Sequence, residues 1–228
     1  MNTSEKLKQS GRRFWHFLWH DESIWSWIAN IAIAFIIIKF IFYPVLGLTL
    51  GTAFPVVAVV SESMEHGLHN GEICGQSYDS FPGGFDNWWE VCGSWYTDEE
   101  IDISKEEFLD FPLHNGFNKG DIIVLWRANT QNIEVGNVLV FQSTKSHPII
   151  HRVVNTWTTE NSVTGELEYH YQTKGDHNSD SFAGYLGEED ITIDRVYGKA
   201  LLRIPFLGYI KIIFAELLYL FGINILGN

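Results

Sequence analysis

The 228-residue chain is long enough for one soluble domain of ordinary size with apolar segments left over. Its formal net charge of −13 argues against a nucleic-acid ligand, whose binding rests on Lys and Arg neutralising phosphates. Only two cysteines are present, with no matching Cys or His pair at finger spacing. That falls short of a structural zinc site, and no cofactor is expected.

The first strong feature in chain order is a run from Ile24 to Leu46 that is almost wholly apolar. As a helix, residues 24–43 would cover roughly 30 Å, the hydrocarbon thickness of a bilayer. Asn30 and Lys39 are its strongly polar interruptions; Lys39 can snorkel at the far end, and Trp15, Trp19, Trp25 and Trp27 gather at the near end as an interfacial belt would. A cleaved signal peptide would carry a shorter apolar core, about 7–15 residues. Residues 24–46 therefore read as an uncleaved transmembrane helix. Lys6, Lys8, Arg12 and Arg13 precede it, so residues 1–23 are expected in the cytoplasm and the part after the span outside it.

Beyond the span the pattern changes to short β-branched runs bounded by Gly, Asn, Asp or Pro: 56–60, 122–126, 138–141, 149–154 and 191–196. This predicts a mostly β extracytoplasmic domain over 47–210. Gly120-Asp121 and Gly136-Asn137 each feed an apolar strand, a pair of similar turns and not a repeat array. Residues 74–116 differ in composition and read as an inserted subdomain rich in Trp and acid; across residues 72–110, eleven acidic residues face Lys105 alone. Ser104-Lys105-Glu106-Glu107 predicts a capping box on a short helix ending near Phe111-Pro112. The aromatics of the lobe are expected to form a satellite core, and the lobe itself to be a cap whose removal leaves catalysis possible. Cys74 and Cys92 both lie in it; whether they bridge stays open at this level.

A second apolar stretch, Ile204 to Leu226, contains Lys211 and Glu216, each costing about 2–3 kcal/mol in a bilayer core. Spanning and interfacial placements are both open. Spanning is preferred for 211–228, since Ile212 to Leu226 carries Glu216 alone.

The chemistry-bearing residues are Ser63, in Val60-Ser61-Glu62-Ser63-Met64 just past the span, and His151, in Ile149-Ile150-His151-Arg152-Val153-Val154. A serine hydroxyl is a poor nucleophile near neutral pH unless a base takes its proton, and an imidazole is a suitable base. His66, His69 and Glu72 are spaced by three, and His147 and His151 by four, spacings a metal site could use, but the context of Ser63 favours the serine reading.

Ser63-Met64 after Pro55 to Val60 resembles the nucleophile box of the type I signal peptidases. Gly120-Asp121-Ile122-Ile123-Val124 is similar to the strand motif that follows it, and Ile150-His151-Arg152-Val153-Val154 to the base box. Bacterial members carry lysine where this chain has His151; archaeal and endoplasmic-reticulum members carry histidine. Thr173-Lys174-Gly175-Asp176-His177-Asn178 resembles the Thr-Lys-Gly-Asp-Asn-Asn box of the latter branch, and residues 198–209 resemble the close of such domains. The likeness covers residues 53–73 and 117–210.

The resemblance implies a membrane-bound serine endopeptidase that removes signal peptides from secreted preproteins after small residues. Ser63 would be the nucleophile and His151 the base, with the Ser63 N–H and Ser61 hydroxyl as oxyanion donors. Val57, Val59 and the 149–154 strand would wall the substrate pockets. The family's usual orienting aspartate falls on Phe182 here. Asp180 is therefore expected to orient His151 and Asp176 to order the loop. His66 replaces a common proline and His177 an Asn. Expected partners are preproteins, the lipid bilayer and, as a candidate, the secretion translocon, in the cell or endoplasmic-reticulum membrane. Two alternatives remain: a self-cleaving repressor-type peptidase, which the span and acidic lobe do not fit, and a catalytically inactive membrane-anchored binding protein of the same fold.

Overall fold

A computed structural model describes residues 3–144, 147–161, 165–209 and 213. The expected second membrane segment, 211–228, lies outside the described residues apart from Ile213. The chain divides between Thr49 and Leu50 into two compact units.

The first unit is helical. Helix α1 (Thr3–His20) precedes α2 (Ile24–Ile37), which runs through a π-helical stretch, Ile38–Phe42, into α3 (Tyr43–Leu50). Ser23 caps α2 by accepting the Ser26 N–H, the role its short polar side chain suits. Together, Ile24–Leu50 form 27 helical residues long and apolar enough to cross a membrane, four more than the apolar run suggested. Two polar groups in it have local uses: Ser26 Oγ donates to Phe17 O (2.6 Å) and Asn30 Nδ2 to Leu18 O (2.9 Å), holding the end of α1 against α2. Lys39 Nζ lies over the rings of Phe35 and Phe40.

The second unit is built on a curled, antiparallel seven-stranded sheet in the order β1-β4-β9-β5-β6-β7-β8. Its strands are β1 (Val56–Ala58), β4 (Ile122–Trp126), β5 (Val138–Phe141), β6 (Ile149–Glu160), β7 (Leu167–Lys174), β8 (Ile191–Thr192) and β9 (Val196–Ile204); β2 (Glu72–Ile73) and β3 (Gln76–Ser77) form a separate ribbon. The five β-branched runs all contain strand, but 191–196 is broken by a 3₁₀ turn, Ile193–Arg195. β7 is an additional strand, and β6 continues to Glu160 to pair with it. One apolar cluster, Val59, Met64, Phe117, Ile123, Leu125, Val138 and Val140, lies under the β1–β4 end. A second, around Leu139, Phe141, Val153, Tyr171 and Ile191, lies under β5–β8.

The Gly-Asp box and the close of the domain dock on each other. Gly120 has φ +89°, and a Cβ there would overlap the Tyr209 ring. Asp121 is fully buried; its carboxylate accepts the Asn118 and Phe206 N–H groups and pairs with Arg203 Nε (2.6 Å).

Residues 74–116 carry α4 (Phe85–Tyr96) and α5 (Lys105–Asp110), the latter with the expected capping box on Ser104 and Glu107. Trp88, Tyr96 and Phe108, each fully buried, form the lobe's aromatic cluster with Ile73, Cys92 and Ile103. Val154 of β6 belongs to the same cluster, so the lobe shares its core with the sheet. Cys74 and Cys92 form a disulfide.

Candidate active site

Ser63 sits in a tight turn after β1, closed by Glu65 N–H to Glu62 O (3.0 Å). The turn is fixed from both sides. Met64, 1% exposed, drives its side chain into the apolar cluster beside Val59 and Phe117, while the Phe117 N–H donates to Met64 O (3.0 Å). Lys119 braces the outer side, its N–H donating to Glu65 and its Nζ to Glu62. Ser63 is left half-buried, its Oγ 3.3 Å from Ser61 Oγ. The pair expected for nucleophile and oxyanion donor is thus adjacent. Val59, at 2% exposure, is core rather than an open pocket wall, and Val57 and Ile150 pack against the same cluster.

The loop ending β7 reaches back to this turn. His177 N–H donates to Ser63 O (2.9 Å), and a Cβ on Gly175 would stand 2.7 Å from that same oxygen. The glycine of the Lys-Gly-Asp box is therefore required by close approach of the Ser63 backbone.

His151 lies on β6 opposite Leu139 of β5 and is 3% exposed. Among the described residues no hydrogen bond joins it to Ser63; nucleophile–base contacts in unliganded sites often close only around substrate. Its Nδ1 is hydrogen-bonded to Glu188 Oε1. Neither expected aspartate is on the imidazole. Asp180 Oδ1 accepts from Trp95 Nε1 (2.8 Å) and the Ser181 N–H (2.8 Å). Asp176, fully buried, takes two hydrogen bonds from Arg152, one from His66 Nε2 (3.0 Å) and one from Tyr96 OH (3.3 Å). Burial alone would raise the Asp176 carboxyl, but the Arg152 guanidinium and the His66 contact outweigh it and hold it well below the usual carboxylate range. Asp176 thus ties Arg152, His66 and Tyr96 to the loop, and the carboxylate in contact with the imidazole is Glu188, not Asp180.

Two neighbours complete the electrostatics. Lys174 is fully buried, its Nζ over the rings of Trp95 and Tyr96 and donating to Gly175 O. Burial pushes its ammonium down to about 8 against the opposing pull of Asp176, Glu188 and Asp180. His66 stacks flat on Trp88 at 3.8 Å, and burial lowers it despite Asp176. No group of three or more metal-ligating side chains stands together among the described residues; His66 and His69 have other partners.

The lobe's tie to this loop was not anticipated. Trp88 Nε1 and Tyr96 OH both bond Asp176, Trp95 bonds Asp180, and the Cys74 N–H donates to His177 O (2.9 Å). Glu188 was missed because nothing in the run Gly187-Glu188-Glu189-Asp190 distinguishes one acid from its neighbours.

No family model matches the chain. Among curated proteins it is similar to the signal peptidase complex catalytic subunit SEC11 of Fusarium vanettenii, 36% identical over 112 residues, 47% of this chain and 62% of that protein. The subunit of the same name from Penicillium rubens is 36% identical over 113 residues, covering 47% and 60%. That of Yarrowia lipolytica is 30% identical over 123 residues, covering 52% and 67%. The chain spans about three-fifths of the length of most of these relatives. With the serine turn, the buried histidine and the Lys-Gly-Asp loop assembled on one sheet, and with this similarity, the chain belongs to the type I signal peptidase family of the SEC11 catalytic subunits.

Proposed function

We propose that the protein is a membrane-bound serine endopeptidase that cleaves signal peptides from secreted preproteins. The observation that carries this is the convergence of the Ser61–Ser63 turn and the Lys-Gly-Asp loop through the Ser63 carbonyl, in a chain of this family. Ser63 Oγ attacks the scissile carbonyl while His151 takes its proton and later returns it to the leaving amine. The Ser63 N–H and Ser61 hydroxyl stabilise the oxyanion. The N-terminus is cytoplasmic and the catalytic unit faces the other side, in the endoplasmic-reticulum or cell membrane, where preproteins emerge from a translocon; the basic residues before the apolar helix support that orientation. Anchoring also raises the effective concentration of a membrane-emergent substrate.

The test is cleavage of a preprotein by the reconstituted full chain. Ser63→Ala should abolish release of the mature form with the melting temperature unchanged. Normal cleavage by Ser63→Ala would refute the reading.

A further inference from the structure

We propose that Glu188 is the positioning carboxylate of this site, doing from its own place in the chain what the resemblance assigns to an aspartate at the position of Phe182. The inference rests on the serine-peptidase reading and supplies the acid which that reading left open.

Three acids lie near the loop, Asp176 and Glu188 buried and Asp180 exposed, and their partners separate them. Both oxygens of Asp176 are taken up by Arg152, His66 and Tyr96, and Asp180 is held by Trp95 and its own neighbour. Glu188, fully buried, is the carboxylate on His151 Nδ1. An ionised carboxylate can only accept, so this contact places the ring proton on Nδ1 and leaves Nε2 free to take one.

The backbone explains how an acid six residues further on can serve. After Phe182 the chain makes the single helical turn α6 (Ala183–Leu186), ended by Gly187 at φ +63° with its N–H on Ala183 O (2.8 Å). The turn returns the chain on itself. Glu188 N–H donates to Phe182 O (3.2 Å), and Phe182 N–H donates to Glu188 Oε2 (3.0 Å). The carboxylate therefore lies against the backbone of the residue whose side chain it replaces. The Thr173 N–H holds Glu188 O (2.8 Å), and Arg195 pins the far side through Gly187 O (3.1 Å) and Asp190 O (2.9 Å). Oε1 is thus left to the imidazole, with the Thr173 hydroxyl at 3.5 Å.

In the reaction, the bond from Ser63 Oγ to the scissile carbon forms as the hydroxyl proton moves to His151 Nε2. Glu188 stabilises the resulting imidazolium and itself gains no proton. The proton then passes to the amine as the C–N bond breaks. The other charged groups nearby are Lys174, whose ammonium interacts with Glu188, Asp176 and Asp180, and Arg152, which is paired to Asp176.

The experiment follows the low-field imidazole N–H proton resonance of the full chain in detergent, beside preprotein cleavage and melting temperature, in Glu188→Gln, Glu188→Asp and Asp180→Asn. Glu188→Gln should fold, lose the resonance and lose up to about 10⁴-fold in rate. Glu188→Asp should regain part of the rate, and Asp180→Asn should keep the resonance. A full rate or an undisturbed resonance in Glu188→Gln, with Ser63→Ala and His151→Ala inactive, would overturn the role of Glu188 alone. An inactive unaltered chain whose resonance disappears in Glu188→Gln would instead overturn the peptidase reading and keep the contact. If Glu188→Gln fails to fold, Glu188→Asp decides: a shifted resonance supports the proposal and an unchanged one overturns it.

Discussion

Arg152 grips Asp176 with two parallel hydrogen bonds, Nε to Oδ1 at 2.9 Å and Nη2 to Oδ2 at 2.7 Å, both side chains wholly removed from solvent. The remaining guanidinium donors go to the carbonyls of Pro112, Gly136 and Leu113. A strand residue beside the proposed base is thereby locked to the loop that reaches Ser63.

Removing the carboxylate charge leaves that guanidinium buried and uncompensated. Asp176→Asn should cost about 3–5 kcal/mol of stability and lower cleavage with it. In the unaltered chain the Asp176 pKa is depressed on folding, so its stabilisation is complete above the ordinary value of 3.8 and is lost as pH falls below it. Thermal melts between pH 2 and 6 should show a decline that Asp176→Asn lacks.

Lys174 acts in the same direction at higher pH. Its folded pKa of about 8 lies below its ordinary 10.5, so between those values the unfolded chain holds a proton that the folded chain does not. Stability from this group therefore rises with pH across that window. Lys174→Met should flatten the rise in melting temperature between pH 8 and 10, and an identical slope in the variant would contradict it.

Ser61 Oγ stands 3.3 Å from Ser63 Oγ on an exposed turn, with no packing role for its hydroxyl. Ser61→Ala should leave the melting temperature unchanged and reduce kcat by about 10²–10³, the usual cost of one oxyanion donor. Ser61→Thr, which keeps a hydroxyl, should recover part of it. A loss confined to KM would assign Ser61 to substrate binding.

The disulfide joins Cys74, whose N–H holds the loop at His177, to Cys92 on the helix that presents Trp88, Trp95 and Tyr96. At a separation of 18 residues, opening it should cost about 3 kcal/mol. Cys74→Ser/Cys92→Ser should lower the melting temperature and slow cleavage. Replacing 74–115 by a Gly/Ser linker should abolish cleavage of even a short peptide, since the loop loses those indole and phenol donors; retained activity would return the lobe to the role of a cap.

Much of the fold was legible because its signals are local. The apolar span, the β-branched runs and the Ser104–Glu107 capping box each depend on residues a few positions apart, and each has its expected element. β7 escaped notice because Leu167-Glu168-Tyr169-His170-Tyr171-Gln172 is polar, and only pairing with β6 makes it a strand. Ser63, Ser61 and Asp176 stand in short motifs, so their neighbours foretell their surroundings. Glu188 does not: its position depends on one helical turn and on two hydrogen bonds with the Phe182 backbone, one from its own N–H and one to its carboxylate, which no spacing rule encodes. The lobe's hold on the loop was hidden for the same reason, because Trp95 and Asp180 are 85 residues apart.

The order of strands also bears on how the sheet is assembled. β9, the last strand among the described residues, lies between β4 and β5 and is the strand that joins the half of the sheet leading to Ser63 with the half carrying His151. During synthesis both halves leave the ribosome well before the strand that unites them, and such long-range pairing is slow to form. A nascent chain should thus stay incapable of the proposed cleavage until residues 196–204 have emerged.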